Sequence, residues 1–303
     1  MLNYLASLPG AIAQGLIWGI MAIGVYITYR ILDFADLTVD GSICTGAAVC
    51  TVLMTNGASV WVAMPAAFAA GMLAGLVTGL FHTLMGIPPI LSGILTQLML
   101  WSVNLKILGK ANLALPARSY GVLVAQLWVE RSILILVGAS AVLIAVLYWF
   151  FGTEIGAALR ATGCSLHMSR AQGINTNRAT VLGLVISNGI VALSGAFLAQ
   201  FLGNADINMG RGAIVVGLAA VIIGGAVFSR ICGNFAFRLL SVILGGVIYY
   251  LVYQTVIYLG LDTDLLKLLS ALVVAVFLAI PYWNRKLHGR FGGKRATGGD
   301  RNA

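Results

Sequence analysis

Carboxylates in an otherwise apolar chain are the residues with the clearest chemical potential. Asp33, Asp36 and Asp40 lie within eight residues of one another, just before and inside the start of an apolar stretch. An ionised carboxylate within hydrocarbon is costly unless it is paired or faces water, so intramembrane acids usually line a cavity or a transport pathway. The pattern therefore predicts a pathway whose first part is formed by Asp36, Thr38, Asp40 and Ser42.

The acidic segment also fits two structural roles. Asp33 and Asp36 could lie in a cytoplasmic loop and pair with Arg30. Asp40 and Ser42 could cap the helix that they open, because Asp and Ser are preferred at helix N-termini. A cap is compatible with a residue that lines a pathway.

Polar residues recur in the second half of the chain. Asp206 and Asn208 precede another short apolar stretch, and Ser187 and Asn188 lie inside a long one. An asparagine in mid-membrane is costly unless it is hydrogen-bonded, so Asn188 is expected either in the pathway or in hydrogen bonds between helices. The second part of the predicted pathway is Ser187, Asn188, Asp206 and Asn208.

The other chemistry-bearing residues indicate no enzyme. His82, His167 and His288 have no partners at metal-ligand or catalytic spacing, and the four cysteines include no C-x-x-C pair. No glycine-rich nucleotide-binding loop of the Walker type occurs, so the chain cannot hydrolyse ATP itself. We expect no catalytic residue, no metal site and no cofactor.

The elements that must position these residues are membrane-spanning helices. Only 9% of the 303 residues are charged, 60% are hydrophobic and the mean hydropathy is +0.99. Apolar runs near the length that a bilayer requires, about 20 residues, alternate with short polar links, and the alternating segments of a barrel are absent. The sequence predicts one all-α transmembrane domain over 1–303, with about nine hydrophobic segments. They are 11–29, 41–54, 60–84, 88–107, 132–151, 179–202, 213–228, 239–259 and 265–282.

The basic residues indicate the orientation of the chain. With the N-terminus outside, twelve of the eighteen Lys and Arg residues fall in inner links and in the tail 284–303, as the positive-inside rule requires for a cytoplasmic C-terminus. The net charge of +9 is thus explained by a membrane protein and not by nucleic-acid binding. The tail is expected to be a solvated topology anchor, with anionic membrane lipid as one candidate partner.

The second and seventh predicted segments are short, and each follows an aspartate-bearing stretch. DLTVDGS at 36–42 aligns with DINMGRG at 206–212, and the spans before them run in opposite directions in the predicted topology. Short helices at matching positions of inverted repeats point to the transport pathway in many transporters. We therefore predict an inverted repeat with halves at about 1–150 and 151–283. A chance match between small-residue membrane segments is the alternative.

The longest inner link, residues 152–178, is expected to carry a docking surface. Its Glu, Ala and Leu content predicts a short helix over 154–162. Gly163 is expected to end that helix, and Asn175 or Thr176 to cap the next span. A small-residue face with flanking charges suits a groove on a partner protein, although a plain surface helix would look the same. The expected docking residues are Glu154, Gly156, Arg160, Ala161, Thr162 and Gly163.

Several stretches resemble the permeases of ATP-binding cassette importers of the branched-chain amino acid and ribose class. They are DLTVDGS at 36–42, GAALRA at 156–161, GINT at 173–176, SGA at 194–196 and GLAAVIIGG at 217–225. The resemblance covers roughly residues 15–285 and is nearest to the sub-branch associated with aromatic amino acid uptake.

The resemblance implies a bacterial inner-membrane importer that moves a small polar or zwitterionic solute, preferably an aromatic amino acid, by alternating access. It also implies a second permease copy, in a homodimer or a pseudo-symmetric dimer, two cytoplasmic ATPases on the coupling loops and an extracytoplasmic substrate-binding protein. The coupling loop departs from the family pattern, because Glu154 is separated from the alanine pair and Gly163 lies five residues beyond that pair, not four. The alternative function is an ion-coupled secondary transporter with Asp40 or Asp206 as its ion site.

Overall fold

Apolar segments of this length fold as helices in a membrane because no water is present to bond with an unpaired backbone. The computed structural model describes residues 2–228 and 233–258, together with residues 272, 275, 276 and 279. Over this part the chain forms ten α-helices. They are α1 Leu2–Tyr26, α2 Val39–Thr55, α3 Val60–Thr83, α4 Pro89–Leu108, α5 Val129–Gly152, α6 Glu154–Cys164, α7 Leu166–Ala171, α8 Thr176–Leu202, α9 Ala213–Phe228 and α10 Phe235–Tyr258.

Six of the helical stretches are long and apolar enough to cross a bilayer. They are Ser7–Ile31, Val60–Thr83, Pro89–Leu108, Gln126–Gly152, Thr176–Leu202 and Phe235–Tyr258. α2 and α9 are apolar but shorter, with 17 and 16 residues. The first eight predicted segments coincide with these eight helices to within a few residues, and the ninth, 265–282, lies almost wholly outside the described residues. The multi-pass all-α architecture is confirmed, whereas the total of about nine segments stays a prediction.

α8 forms the centre of the bundle, and α1, α2 and α3 pack around it. Gly71 of α3 lies against the carbonyl of Asn188. One turn further along, Gly75 lies against the carbonyl of Leu184. A methyl group at either glycine would overlap the facing backbone, so these small residues allow α3 and α8 to approach closely. α9 and α10 pack against α1 and against each other.

α4 and α5 lie at the periphery. α4 contacts α2 and α3, while α5 contacts chiefly α1, and only a small share of either helix is buried. Their outer faces carry exposed large side chains, among them Met99, Val103, Leu134 and Trp149. These faces are therefore the ones available to lipid or to another subunit.

Two short strands join the loops at one end of the bundle. β1, Asn112–Ala114, follows α4, and β2, Asn204–Asp206, follows α8. The strands are antiparallel, with Asn112 opposite Asp206. The all-α prediction did not include this small sheet, which ties the two loops together.

The opposite end of α8 carries the link that contains α6 and α7. Asn175 caps α8, because its Oδ1 accepts a hydrogen bond of 3.1 Å from the backbone N–H of Arg178. The prediction that Gly163 ends α6 is wrong, because the helix continues to Cys164. Gly163 is a packing residue, since it lies directly against the carbonyl of Ile31 in the π-helical turn Ile27–Ile31 that extends α1.

Candidate functional site

A buried hydrogen-bond network connects the first aspartate-bearing segment to the centre of the bundle. Asn188 of α8 donates from Nδ2 to Asp36 Oδ2 over 2.7 Å and accepts at Oδ1 from the hydroxyl of Ser42 over 2.6 Å. All three side chains are at most 2% exposed. Because each polar group has a partner, the network makes burial of these residues tolerable.

The residues beside this network are also buried and bonded. The backbone N–H of Thr38 donates to Asp36 Oδ1 over 2.9 Å, which forms a tight turn just before α2. The Thr38 hydroxyl lies 2.7 Å from that of Thr78 on α3, and Ser187 donates to the carbonyl of Gly24 on α1 over 2.8 Å. These side chains therefore fasten α1, α2, α3 and α8 together. Their assignment to a substrate pathway stays a prediction.

α2 begins halfway along α8. Ser42 bonds to Asn188, which is the thirteenth residue of the 27-residue α8. At about 1.5 Å of rise per residue, α2 starts almost 20 Å from the beginning of α8. The short length of α2 thus reflects a helix that starts deep within the bundle.

Asp40 joins the start of α2 to the start of α9. Its two carboxylate oxygens accept hydrogen bonds from the backbone N–H groups of Gly212 and Ile214, each at 2.9 Å. A carboxylate is favourable there because the first N–H groups of a helix lack partners within the helix. The alternative in which Asp40 caps its own helix is wrong, since Thr38 is the N-cap of α2 and makes no side-chain bond there.

The second aspartate-bearing segment has the same turn in a more open setting. Asp206 Oδ1 accepts a hydrogen bond of 2.7 Å from the backbone N–H of Asn208, two residues ahead as in the first segment. Its other oxygen lies 3.4 Å from the amide nitrogen of Asn112. Asp206 is half-buried and Asn208 is exposed. These two predicted pathway residues are therefore separate from the buried network.

A cavity of about 300 Å³ lies between α2, α4 and the segment that leads into α9, and we call it the polar cavity. Its polar lining consists of Asp40, Cys44, Gln97, Trp101, Asn104 and Arg211. Of the predicted pathway residues, Asp40 is the one that lines this cavity. Sequence reasoning missed the α4 contribution, although Gln97, Trp101 and Asn104 are spaced as one helical face.

The predicted docking residues divide between two faces of α6. Glu154 and Arg160 are exposed and Ala161 is half-buried. Gly156 and Thr162 are buried, and Gly156 packs against the backbone of Phe150 and Phe151 in α5. With Gly163 against Ile31, the small residues of α6 therefore face their own chain.

The exposed face of α6 and α7 also carries large apolar side chains beside its charged ones. Ile155, Leu166 and Met168 are 58%, 49% and 65% exposed at the end of the bundle where the link lies. We call these three residues together with Arg160 the link face. The sequence prediction missed the apolar members because it took the small residues of α6 as the docking surface.

Comparison with known proteins identifies the family. The family described as branched-chain amino acid transport system, permease component, matches residues 8–280. The chain belongs to this permease family. A tyrosine transport system permease protein of Clostridioides difficile is 41% identical over 276 residues, covering 91% of each chain. An uncharacterized protein of Rickettsia prowazekii is 34% identical over 273 residues, covering 89% of this chain and 95% of the relative.

More distant relatives carry other names. The fructose import permease protein FruF of Bifidobacterium longum is 24% identical over 247 residues, covering 80% of this chain and 68% of that protein. No solved structure matches the chain significantly.

Membership of this permease family has direct consequences. The chain is the multi-pass membrane component of an ATP-binding cassette importer and is not itself catalytic. Permeases of this kind work with an ATPase and a substrate-binding protein. Among the described residues, no group of three or more His, Cys, Asp or Glu side chains could hold a metal ion.

Proposed function

We propose that this permease imports aromatic amino acids, with tyrosine as the leading candidate. The observation that carries the proposal is the 41% identity to a tyrosine transport permease over 91% of both chains. Identity to the sugar permease is only 24%. The polar cavity supports an amino acid as well, because it is lined by both a carboxylate and a guanidinium, whereas a sugar carries no formal charge.

The link face is the proposed ATPase docking surface. Exposed apolar side chains flanked by a charge are typical of protein interfaces. In a link that faces water, such side chains are unfavourable unless a partner protein covers them. Ile155 and Met168 supply the apolar part and Arg160 the charge. In this proposal the ATPase contacts the link face. Gly156, Thr162 and Gly163, which the sequence pattern favoured for docking, pack inside the permease instead.

A chain of direct contacts connects the link face to the first aspartate-bearing segment. Gly163 of α6 lies against Ile31, and the following segment leads within a few residues to Asp36. Asp36 in turn bonds to Asn188 at the centre of α8. We infer that ATPase-driven movement of α6 is transmitted along this path, which supplies the physical contact that coupling requires.

Assembly and orientation complete the proposal. We place α6 and α7 in the cytoplasm and the β1–β2 end outside, facing the substrate-binding protein, in agreement with the positive-inside count. A second copy of this permease completes the transporter, and the exposed faces of α4 and α5 are the surfaces open to it. The basic tail 284–303 lies outside the described residues, and its role stays a prediction.

Competition in a transport assay tests the substrate. The permease would be reconstituted with its ATPase and binding protein in proteoliposomes, and ATP-dependent uptake of radiolabelled tyrosine would be measured. We expect unlabelled phenylalanine and tryptophan to compete, and fructose and leucine to leave uptake unchanged. Strong competition by leucine or by fructose with none by aromatic amino acids would refute the aromatic assignment.

A further inference from the structure

We propose that the polar cavity binds an amino acid zwitterion inside the permease, with the α-carboxylate at Arg211, the ammonium group at Asn104 and Asp40, and the aromatic ring at Trp101. The proposal rests on the proposed function and adds to it a recognition site on the permease itself. The cavity lies where α2 and α9 begin, next to the junction made by Asp40.

Asn104 provides an acceptor that lacks a donor. The side chain is 1% exposed, and its Nδ2 donates to the carbonyl of Gly41 over 3.3 Å. This bond fixes the orientation of the amide, because only the NH₂ group can donate. Within the described part of the chain, Asn104 Oδ1 has no hydrogen-bond partner. A buried acceptor is unfavourable without a donor, and we assign that donor to a ligand ammonium group. Because Oδ1 has almost no accessible surface, the ligand reaches it by displacing the amide slightly toward the cavity.

Charges of both signs line the same cavity. The carboxylate of Asp40 accepts backbone hydrogen bonds from Gly212 and Ile214, and the N–H of Ala213 is also directed at it. A carboxylate has about four lone-pair sites, so acceptor capacity remains for a ligand donor. The guanidinium of Arg211 has no hydrogen bond or ion pair to any residue that the structure describes, and it is a preferred partner of carboxylates. An acid and a guanidinium in one cavity are the complement of an amino acid zwitterion.

Trp101 is the proposed contact for the aromatic side chain of the ligand. It lies between Gln97 and Asn104 on the cavity face of α4, and about half of its surface is exposed. An exposed indole offers a flat apolar surface against which an aromatic ring can stack. The volume of about 300 Å³ is at the lower end of the range for small-molecule sites, which suits a single amino acid better than a peptide or a larger ligand.

Equilibrium binding to the permease tests this site. Full-length permease in lipid nanodiscs would be titrated with radiolabelled tyrosine. The competitors would be tyramine, which lacks the carboxylate, and 3-(4-hydroxyphenyl)propionate, which lacks the ammonium group. We expect wild-type permease to prefer tyrosine over each analogue by about tenfold or more, as the loss of one charge-assisted hydrogen bond predicts.

Variants of the cavity residues test which side chain binds the carboxylate and which binds the ammonium group of the ligand. Arg211→Gln should weaken tyrosine binding about tenfold and remove the preference over tyramine. Asn104→Leu should remove the preference over the propionate. Arg118→Gln is the matched control, because Arg118 is exposed and lies outside the cavity.

The outcomes separate this proposal from the proposed function. Unchanged affinity and selectivity in Arg211→Gln would overturn the site, as would absence of tyrosine binding to the permease while the assembled transporter imports tyrosine. Either result leaves the proposed function standing. Absence of both binding and tyrosine import would overturn both. If Asn104→Leu fails to fold, as judged by its melting temperature, Arg211→Gln and the wild-type preference for tyrosine over the propionate still decide the proposal.

Discussion

The two aspartate turns, at 36–38 and 206–208, have the same local geometry and different surroundings. In each, an aspartate accepts a hydrogen bond from the backbone N–H two residues ahead, at 2.9 and 2.7 Å. The free oxygen of Asp36 bonds to the fully buried Asn188, whereas that of Asp206 faces Asn112 at the exposed sheet. A short sequence pattern thus determines the turn, and the helices packed around it determine whether the turn stabilises the bundle.

This resemblance supports the inverted repeat, which stays a prediction. The first turn leads into a helix buried against α8, and the second leads into a run of turns that ends at α9. Asp40 of the first segment bonds to the backbone of the second. The following variants test whether the first turn stabilises the bundle and whether the second turn tolerates substitution without loss of stability.

The largest expected loss of stability follows substitution of Asn188, the hydrogen-bond partner of the first turn. Asn188→Leu removes the hydrogen bonds of Asp36 and Ser42 and leaves a buried carboxylate with one partner fewer. We expect a loss of about 3 kcal/mol of unfolding free energy, since unsatisfied buried polar groups cost about 1–3 kcal/mol each and charged ones more. The melting temperature of the purified permease measures it. Asn112→Leu, the same change at the second turn, should have little effect; equal losses in both would contradict the distinction.

The contact between α6 and Ile31, which lies just before the first turn, gives the next effect. Gly163→Ala places a methyl group on the carbonyl of Ile31, so we expect a destabilisation of about 2 kcal/mol and a loss of transport-stimulated ATPase activity. Gly152→Ala is the control in the same link, because nothing lies within 4 Å of a methyl group there. Wild-type stability and coupling in Gly163→Ala would disprove the proposed path.

Removal of the junction between α2 and α9 should have a smaller effect on stability. Asp40→Ala leaves the first N–H groups of α9 without their acceptor, which costs about 1 kcal/mol for a lost helix cap. Tyrosine uptake should fall more strongly than stability, because Asp40 also lines the polar cavity. Asp40→Asn, which retains one acceptor oxygen, should be intermediate in both assays. Normal uptake in Asp40→Ala would remove Asp40 from the pathway.

The smallest effect is expected at the second turn. Asn forms the same side-chain-to-backbone turn as Asp, so Asp206→Asn should change the unfolding free energy by less than about 0.5 kcal/mol. Tyrosine uptake should stay near wild type. A loss of uptake with normal stability would show that the carboxylate of Asp206 belongs to the substrate pathway, as its place in the sequence predicts.

Local patterns in the sequence predicted the helices well, because each apolar run approaches the length that a bilayer requires and is bounded by polar residues. They also located the aspartate-bearing segments and narrowed the cap of α8 to Asn175 or Thr176, of which Asn175 is the cap. The partner of Asp40 was out of reach, because the bonded backbone lies more than 170 residues away in the sequence. The buried face of α6 was missed for a related reason. Gly163 is next to Ile31 only because α6 packs against the π-helical turn Ile27–Ile31, and no local pattern reports that contact.

The most direct test of the proposed function is the energy source of tyrosine uptake. Proteoliposomes that contain the permease, its ATPase and the binding protein would be loaded with ATP or with a non-hydrolysable analogue, with all ion gradients dissipated. We expect labelled tyrosine to accumulate with ATP and to stay at background with the analogue. Accumulation that needs no ATPase and disappears when an ion gradient collapses would contradict the importer mechanism.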